Sequence, residues 1–221
     1  MPSEFFEEKN VSNLIISHSA KNIQLRLKRL GDLILSLVLL SFTSPIVIFA
    51  SILIFLEDKG PIFFSQIRTG KKSKVIKIYK LRTMKMDAEK LGPQWAKKND
   101  IRITRIGSIL RKLRIDELPQ LLNVIVGDMS LIGPRPERPE FDIILKEKIP
   151  LYEMRFQIKS GLSGWAQVNY PYGSSLEDSK NKLSFDLYYL KNFSFFLDLL
   201  ILFKTIRLVF NAKGAVPKNE K

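Results

Sequence analysis

Residues 33–56 read LILSLVLLSFTSPIVIFASILIFL, a run of 24 residues without a charged side chain. As an α-helix, this run would be about 36 Å long, which exceeds the roughly 30 Å of a bilayer's hydrocarbon core. The run is too long for a secretory signal, and no small-residue cleavage motif follows it. A core helix of a soluble protein is a weaker interpretation, because the run is apolar on every face. The run therefore predicts a helix embedded in a membrane.

Ser44 and Pro45 lie in the middle of this run and predict a bend or a break in the helix. Proline lacks a backbone N–H and disfavours helix in the residue before it, although a nearby serine can bond a freed carbonyl. Basic residues flank both ends, with Lys21, Arg26, Lys28 and Arg29 before the run and Lys59, Arg68, Lys71, Lys72 and Lys74 after it. The positive-inside bias marks one end only, so we expect a re-entrant helix with both ends at the cytoplasm. A proline-kinked transmembrane helix is the alternative.

The composition limits the chemistry that is available. The 221 residues carry 36 Lys and Arg against 22 Asp and Glu, a formal charge of +14, which favours nucleic acid, anionic lipid or phosphorylated small molecules. There is no cysteine, and His18 is the only histidine. Disulfides, thiolate zinc sites and cysteine nucleophiles are excluded, and a histidine-based triad or metal site is disfavoured. Catalysis would rest on carboxylates, Lys, Arg, Tyr and a hard metal.

The rest of the chain predicts an α+β fold that is mostly helical. We expect a small β-hairpin from residues 62–70 and 74–84, helices over 86–96, 108–113, 116–126, 137–148 and 178–189, a rigid turn over 133–136 and a loop region over 161–172. The last apolar run, FSFFLDLLILFKTIRLVF at 193–210, contains charges too often for a membrane span. It predicts an amphipathic helix in the membrane interface, with packing on the protein's own core as the alternative.

The acidic pair Asp116–Glu117 lies inside RIDELPQLLNVIVGDMSLIGPRP, residues 114–136. Basic residues surround it, with Arg111, Lys112 and Arg114 before the pair and Arg135 and Arg138 after it. Asp116 is a favoured N-cap, and Pro119 is tolerated in a first helical turn. The helix dipole and the basic side chains should keep Asp116 ionised and attract phosphate.

Two adjacent carboxylates beside phosphate oxygens suit Mg²⁺, so Asp116 and Glu117 are also the predicted metal ligands. A carboxylate that meets a phosphate there can attack it and form an acyl phosphate. Arg135, held between Pro134 and Pro136, could give the phosphate a two-pronged contact. For the dipeptide taken alone, a solvated, salt-bridged surface is the competing interpretation.

With these residues in view, the chain resembles the bacterial sugar transferase family, the monotopic phosphoglycosyl transferases that load a sugar phosphate onto polyprenyl phosphate. The resemblance covers about residues 26–214 and is carried by KRLGDLILSL, GPIFFSQIRTG, YKLRTMKMDAE, the run from Thr104 to Phe141, SGLSGWAQVNYPYG and FDLYYLKNFSFFLDLLILFKTI. The segments ERPEF and GWAQVNYPYG are most similar to the catalytic part of the larger hexose-1-phosphate transferases. Those relatives carry further transmembrane helices and a domain before this part, whereas about 25 residues precede it here. We therefore expect either a fragment or a naturally short form.

The resemblance implies that Asp116 attacks the sugar-bound phosphate of a UDP-sugar, that UMP leaves, and that undecaprenyl phosphate takes the sugar phosphate. It implies that Glu117 assists with Mg²⁺ or with a proton. Phosphate or substrate contacts are implied for Arg111, Arg114, Arg135, Lys80 and Arg82, and more weakly for Asp186.

The resemblance also implies four segments: an N-terminal extension at 1–25, a re-entrant helix at 26–57, a catalytic domain at 58–214 and a tail at 215–221. The catalytic part would lie on the cytoplasmic face of a bacterial inner membrane, surrounded by interfacial helices, and would initiate exopolysaccharide or glycoconjugate synthesis. A homo-oligomer stays open. Two competing hypotheses are a non-catalytic membrane scaffold and a basic nucleic-acid-binding membrane protein. The second lacks a recognisable nucleic-acid motif, so no nucleic-acid partner is expected.

Overall fold

The computed structural model describes residues 18–88, 90, 92, 100–171, 173 and 175–211, with side chains from residue 23 onward. Residues 86–88 form a turn, and most of the helix predicted at 86–96 lies outside the described residues, as do residues 1–17 and the tail at 215–221. The chain is mostly helical with two small sheets, which agrees with the predicted α+β class.

The elements follow one another in a simple order. They are α1 (His18–Asp58), β1 (Phe63–Thr69), β2 (Val75–Leu81), α2 (Arg105–Lys112), a 3₁₀ helix (Ile115–Gln120), α3 (Leu121–Val126), β3 (Ser130–Ile132), α4 (Pro139–Lys148), a second 3₁₀ helix (Tyr152–Gln157), β4 (Gly161–Ser163), α5 (Trp165–Asn169), α6 (Leu176–Lys191) and α7 (Phe195–Phe210). The main apolar core joins β2, α3, β3, α4, α6 and Ile201 of α7.

Helix α1 continues through Ser44 and Pro45 without an interruption of its helical structure. The prediction of a break at this point is therefore wrong. Pro45 has no N–H to offer to the Ser41 carbonyl one turn earlier. The Ser44 hydroxyl donates to that carbonyl instead, at 3.0 Å. This bond replaces the lost one, which explains how the helix tolerates the proline.

Both ends of α1 are attached to the same folded body. Near the start, the Arg29 guanidinium donates to the carbonyls of Val124 and Ile125 at the end of α3, where helical carbonyls lack partners. The Asp32 carboxylate is buried and accepts from the Ser130 hydroxyl at 2.7 Å and from the Leu131 amide at 3.3 Å. At the other end, Glu57 accepts from the backbone amides of Arg105 and Ile106, and Asp58 pairs with Arg82.

Between these attachments, α1 presents an apolar face outward. Within the stretch Ile23–Asp58, an 18-residue window has a mean hydropathy of 2.5, and by length and composition alone the helix is long and apolar enough to cross a membrane. The exposed apolar side chains of its central part are Ile34, Leu37, Val38, Phe42, Ile46, Ile48, Phe49, Ile52, Phe55 and Leu56. The continuous apolar surface is an interaction site, because water-facing patches of this extent are costly.

The predicted hairpin is confirmed. Strands β1 and β2 pair antiparallel with Phe63 opposite Leu81 and Thr69 opposite Val75. The region predicted as a loop over 161–172 is partly wrong, because it contains β4, which pairs parallel with β3, and the short helix α5. Three-residue strands carry no period that sequence inspection can detect, which explains the miss.

The segment around Asp116 begins differently from the prediction. Arg114 adopts a left-handed conformation at φ 59°, and a 3₁₀ helix follows that contains Asp116, Glu117 and Pro119. Asp116 is therefore inside the first turn and is not the N-cap. The helical segment ends at Gly127 with φ 100°, as predicted, because glycine adopts this conformation without strain.

Helix α7 turns its polar side chains inward and its apolar side chains outward. Asp198 bonds the Tyr189 hydroxyl and the Lys28 ammonium group, and Lys204 donates to the Asn169 side chain at 2.6 Å. The exposed apolar residues are Phe195, Phe196, Leu200, Phe203, Ile206 and Phe210. The helix therefore packs on the protein core, as the alternative interpretation predicted, and also presents an apolar face outward. Its position in a membrane interface stays a prediction.

The first prediction concerns the attachment of α1 at Asp32. Asp32→Ala leaves the buried Leu131 amide without its acceptor and removes one of the two acceptors of the Ser130 hydroxyl, which keeps the Ile132 carbonyl at 2.9 Å. We expect the free energy of unfolding to fall by about 1–3 kcal/mol. Thermal unfolding in detergent, followed by circular dichroism, measures the change. Ser41→Ala is the control, since that hydroxyl bonds only within α1, to the Leu37 carbonyl. Equal stability of the two variants would contradict the prediction.

Candidate active site

Asp116 and Glu117 lie in the wall of a cavity of about 450 Å³ that several elements enclose. The 3₁₀ helix Ile115–Gln120 packs against β2, which brings Lys80 to the acidic pair. The other charged residues of the wall are Arg68, Arg82, Lys85, Arg102, Arg111, Arg114, Arg135, Glu137, Arg138, Arg155, Lys182 and Asp186. All the predicted acidic and basic site residues therefore line one cavity, whereas Ser44 and Pro45 do not.

Glu117 is held by three cationic side chains. Its Oε1 atom lies 2.5 Å from Arg135 Nη2 and 3.1 Å from Lys80 Nζ, and its Oε2 atom lies 3.4 Å from Arg114 Nη1. The residue is 8% exposed. Burial would raise the pKa of this carboxyl, but Arg135, Lys80 and Arg114 outweigh burial and hold the pKa well below its usual range. Glu117 is therefore a permanent anion that organises the cations.

Asp116 is in a different state although it is the next residue. It is 7% exposed, and no described side chain donates a hydrogen bond to its carboxylate. Burial, followed by the negative charge of Glu117, raises the pKa of Asp116 to about 6, against the opposing effect of Lys80, Arg111 and Arg114. At neutral pH the group is still mostly ionised, as predicted. The basic side chains were expected to favour the ionised form of Asp116. They do oppose the rise in its pKa, but they do not lower the pKa below its ordinary value.

Arg111 and Arg82 border the cavity in defined positions. Arg111 Nε donates to the Thr83 hydroxyl at 2.8 Å, which fixes the guanidinium beside the acidic pair. The Arg82 guanidinium pairs with Asp58, and its backbone amide donates to the Ile62 carbonyl at 2.8 Å. Arg82 thus connects the end of α1 to the cavity wall.

Asp186 lines the cavity but is engaged by Arg155, a residue that the sequence did not suggest. Arg155 Nη2 lies 3.0 Å from Asp186 Oδ2 and donates to the Arg135 carbonyl at 2.8 Å, while Nη1 donates to the Tyr152 hydroxyl at 2.7 Å. Burial raises the pKa of Asp186 to about 6 despite the nearby Arg155. Arg155 therefore supports the backbone of Arg135, whose side chain contacts Glu117.

Arg68 was also missed as a site residue. Its sequence position marks Arg68 only as a basic residue that follows the apolar run. In the structure, its guanidinium lines the cavity and donates to the Pro136 carbonyl at 3.2 Å. Burial lowers the pKa of Arg68, and Glu137 partly offsets that effect. Arg68 lies in GPIFFSQIRTG, one of the segments that carry the resemblance, but no local pattern marks Arg68 or Arg155 as a site residue, and the tertiary fold reveals their positions.

The fit of a metal ion to this site depends on Asp116. Within the described part of the chain, no group of three or more His, Cys, Asp or Glu side chains could hold a metal ion. Glu117 is already neutralised by its cations, whereas the carboxylate of Asp116 is free of described donors. Mg²⁺ commonly binds one or two carboxylates together with substrate phosphates, so Asp116 fits that role and Glu117 fits it poorly. The predicted Mg²⁺ requirement stays a prediction.

The arrangement combines an anion-binding cavity with an available carboxylate. Cations from β1, β2, α2 and the 133–136 turn converge on one space, and such side chains bind phosphate oxygens with charge-assisted hydrogen bonds. A carboxylate placed among them can act as a nucleophile toward a bound phosphate. The site is therefore equipped for phosphoryl chemistry without histidine or cysteine.

Comparisons with known proteins agree with this chemistry. The family model described as bacterial sugar transferase matches residues 23–212. A UDP-N-acetylgalactosamine-undecaprenyl-phosphate N-acetylgalactosaminephosphotransferase of Aeromonas hydrophila is 46% identical over 189 residues, covering 86% of this chain and 45% of the relative. A UDP-glucose:undecaprenyl-phosphate glucose-1-phosphate transferase of Escherichia coli is 38% identical, covering 86% of this chain and 41% of the relative. The chain thus spans less than half the length of these two relatives.

A third relative is similar in length to this chain. The uncharacterized sugar transferase EpsL of Bacillus subtilis is 41% identical over 197 residues, covering 87% of this chain and 92% of the relative. The similarity therefore extends over nearly the whole of a short protein as well as over part of the longer ones.

The second prediction concerns the buried pair Arg155–Asp186. Asp186→Ala leaves the Arg155 charge buried without its carboxylate, and we expect a loss of about 3–5 kcal/mol in the free energy of unfolding. Chemical denaturation in detergent measures the loss. The double variant Arg155→Met with Asp186→Leu should recover much of it, because no unpaired charge remains.

The control for this prediction is Glu153→Ala. Glu153 pairs with Lys146 at 2.8 Å, but its side chain is largely exposed, so removing it should cost about 1 kcal/mol or less. If Asp186→Ala and Glu153→Ala were equally stable, the buried pair would not have the assigned structural importance.

Proposed function

Because the chain belongs to the bacterial sugar transferase family, we propose that it is a phosphoglycosyl transferase acting on a nucleoside-diphosphate sugar and a polyprenyl phosphate. The donor is a UDP-hexose and the acceptor is undecaprenyl phosphate, the two substrate classes that the names of the Aeromonas and Escherichia relatives contain. The products are UMP and a sugar linked to the lipid through a diphosphate. The reaction starts the assembly of an exopolysaccharide or another glycoconjugate.

The observation that carries the proposal is the contrast between the two adjacent acids. Glu117 takes up the charge of Lys80, Arg114 and Arg135, whereas Asp116 has no described hydrogen-bond donor and faces the same cavity. A carboxylate whose two oxygens both contact cations, as in Glu117, is a poor nucleophile, whereas a carboxylate that contacts a metal ion through one oxygen keeps the other oxygen available. Asp116 is the acid whose oxygen lone pairs are available to a substrate.

The first step forms a bond between an Asp116 carboxylate oxygen and the phosphorus that carries the sugar. The bond from this phosphorus to the bridging oxygen breaks, and UMP leaves with the electron pair. In the second step, a phosphate oxygen of the lipid attacks the same phosphorus, and the Asp116 carboxylate leaves. Two displacements at one phosphorus transfer the sugar phosphate and regenerate the enzyme.

The basic residues bind and orient the diphosphate. Arg135 and Arg111 would hold phosphate oxygens beside the acidic pair, and Arg114 and Lys80 supply further positive charge. Glu117 keeps Arg135, Arg114 and Lys80 near Asp116 in the absence of substrate. Mg²⁺ held by Asp116 and the substrate phosphates would neutralise charge on the diphosphate.

The membrane setting follows from α1 and α7. Both ends of α1 contact one folded body. A re-entrant helix, whose ends lie on the same side of the bilayer, can make both sets of contacts. A helix with its ends on opposite faces of the bilayer does not readily do so. The outward apolar face of α7 would rest in the interface of the same leaflet. We place the catalytic part on the cytoplasmic face of the inner membrane, where it meets a soluble donor and a lipid acceptor.

The third prediction tests the reaction by measuring UMP release. Purified protein in nanodiscs receives Mg²⁺, undecaprenyl phosphate and a panel of UDP-sugars. We expect release from at least one sugar that depends on the lipid, and a loss of roughly a thousandfold or more in Asp116→Asn. Asp128→Asn is the control, since Asp128 pairs only peripherally with Lys74 at 3.6 Å.

Two outcomes would contradict the proposed function. A folded protein that releases no UMP from any donor would favour a non-catalytic scaffold. Salt-sensitive RNA binding that persists in Asp116→Asn would favour a nucleic-acid-binding protein, because such binding depends on the net positive charge and not on the acidic pair.

The fourth prediction concerns pH. Asp116 reacts as the anion, and its pKa is raised to about 6, so the single-turnover rate of UMP release should fall as pH drops through about 6 and level off above it. Lys80 opposes this rise in the pKa of Asp116. In Lys80→Met the acidic limb should therefore move to higher pH, whatever the maximal rate. A limb that stays in place or moves to lower pH would show that Asp116 is not the titrating group.

A further inference from the structure

A second group of basic side chains lies at the end of α3, outside the active-site cavity. Arg29 reaches it from α1, Lys71 from the turn between β1 and β2, and Lys159 from the segment before β4. We call these three residues the α3 basic cluster. A Cβ atom attached to Gly127 would lie 3.2 Å from Arg29 Nη2 and 3.5 Å from Lys159 Nζ. Elements distant in the sequence therefore bring cations to the same small space.

The cluster keeps its positive charge, because the nearby acids are engaged elsewhere. Asp128 pairs with Lys74 at 3.6 Å, and Asp32 is buried against β3. In the part of the chain that the structure describes, no carboxylate forms a salt bridge with a cluster member. Burial and the charges of the other two members lower the pKa of Lys159, and Asp32 and Asp128 oppose this effect without cancelling it. An anion at this position would therefore be favourable.

Exposed apolar side chains border the cluster. Val126, directly before Gly127, is 76% exposed, and Leu122 one turn earlier in α3 is also exposed. On α1, Leu30 follows Arg29 and is more than half exposed. Cations beside apolar side chains match the surface of a bilayer, where charged headgroups lie above hydrocarbon chains. The surroundings therefore indicate a partner that is both anionic and apolar.

An anionic phospholipid has this combination of properties. Its phosphate oxygens can accept charge-assisted hydrogen bonds from a guanidinium and an ammonium group at the same time. A zwitterionic headgroup carries a cation of its own, which three cations without carboxylate partners would repel. A nucleic acid fits less well, because its charged backbone would not cover the apolar side chains of Leu122 and Val126.

We propose that the α3 basic cluster binds the phosphate of an anionic phospholipid, whose acyl chains lie against Leu122 and Val126. Lys159 and Arg29 hold the phosphate oxygens, and Lys71 adds positive charge. Arg29 lies four residues before the uncharged run at 33–56, so the cluster is close to the point where α1 becomes apolar.

The bound lipid would fix how the folded body is oriented on the membrane. The site contains neither member of the acidic pair, and none of its residues lines the active-site cavity. The inference therefore goes beyond the proposed transferase function and can be tested without turnover.

The fifth prediction uses a fluorescent label beside the cluster. Because the chain has no cysteine, Val126→Cys can carry a single bimane label at an exposed position. In nanodiscs, a nitroxide on the acyl chain of phosphatidylglycerol or of phosphatidylcholine quenches the label when that lipid is adjacent. We expect half-maximal quenching at a mole fraction of labelled phosphatidylglycerol about fivefold lower than that of labelled phosphatidylcholine.

Three lysine variants in the labelled protein test the headgroup contact. Lys159→Gln should raise the half-maximal mole fraction of phosphatidylglycerol about fivefold, equivalent to about 1 kcal/mol for one basic side chain, and leave that of phosphatidylcholine unchanged. Lys159→Arg keeps the charge and should retain the preference. Lys148→Gln is the matched control, since it removes the same charge from an exposed lysine at the end of α4, outside the cluster.

Several outcomes would overturn the inference and leave the transferase function untouched. Equal quenching by the two lipids in the unmodified lysine background would show contact with bulk lipid without recognition of a headgroup. No quenching by either lipid would show that Val126 is not at the bilayer. Equal effects of Lys159→Gln and Lys148→Gln would show dependence on net charge alone. Failure of UMP release, by contrast, would contradict only the proposed function, because the quenching needs no substrate.

Discussion

A carboxylate can act as a nucleophile inside a cationic cavity only if something else engages the cations. Here Glu117 has that role, and Arg135, Lys80 and Arg114 are bonded to it rather than to its neighbour. Two consecutive acids therefore differ in character, since one has a pKa well below its usual range and the other a pKa of about 6. The 3₁₀ turn that begins after the left-handed Arg114 makes this possible, because it places both side chains on the cavity wall.

The same cavity is tied to α1. Arg82 bonds Asp58 at the end of α1, and the Glu57 carboxylate receives the first amides of α2. Near its start, α1 is fixed by Asp32 to β3. The polar groups on the inner face of α1 therefore attach a helix with an apolar outer face to the elements that carry the acidic pair.

Much of the fold could be predicted from local patterns. The hairpin, the end of a helix at Gly127, and the helices α4, α6 and α7 each follow from periodicity, turn residues or caps. The errors have two causes. At Pro45 the neighbouring Ser44 hydroxyl restores the lost bond, and a sequence pattern does not show that it will do so. The importance of Arg155 depends on a residue distant in the sequence, Asp186 of α6. The residue types around Asp116 located the site correctly, but the prediction that Asp116 is a helix N-cap is wrong. The 3₁₀ turn that contains Asp116 is fixed by packing against β2.

In the proposed reaction, Asp116 becomes covalently bonded to a sugar phosphate. Intact-protein mass spectrometry after incubation with the UDP-sugar, without lipid acceptor, measures this bond directly. We expect a mass increase equal to one phosphosugar, mapped to Asp116, absent from Asp116→Asn and discharged by undecaprenyl phosphate. An active enzyme that shows no adduct under these conditions, or carries it on Glu117, would rule out Asp116 as the nucleophile.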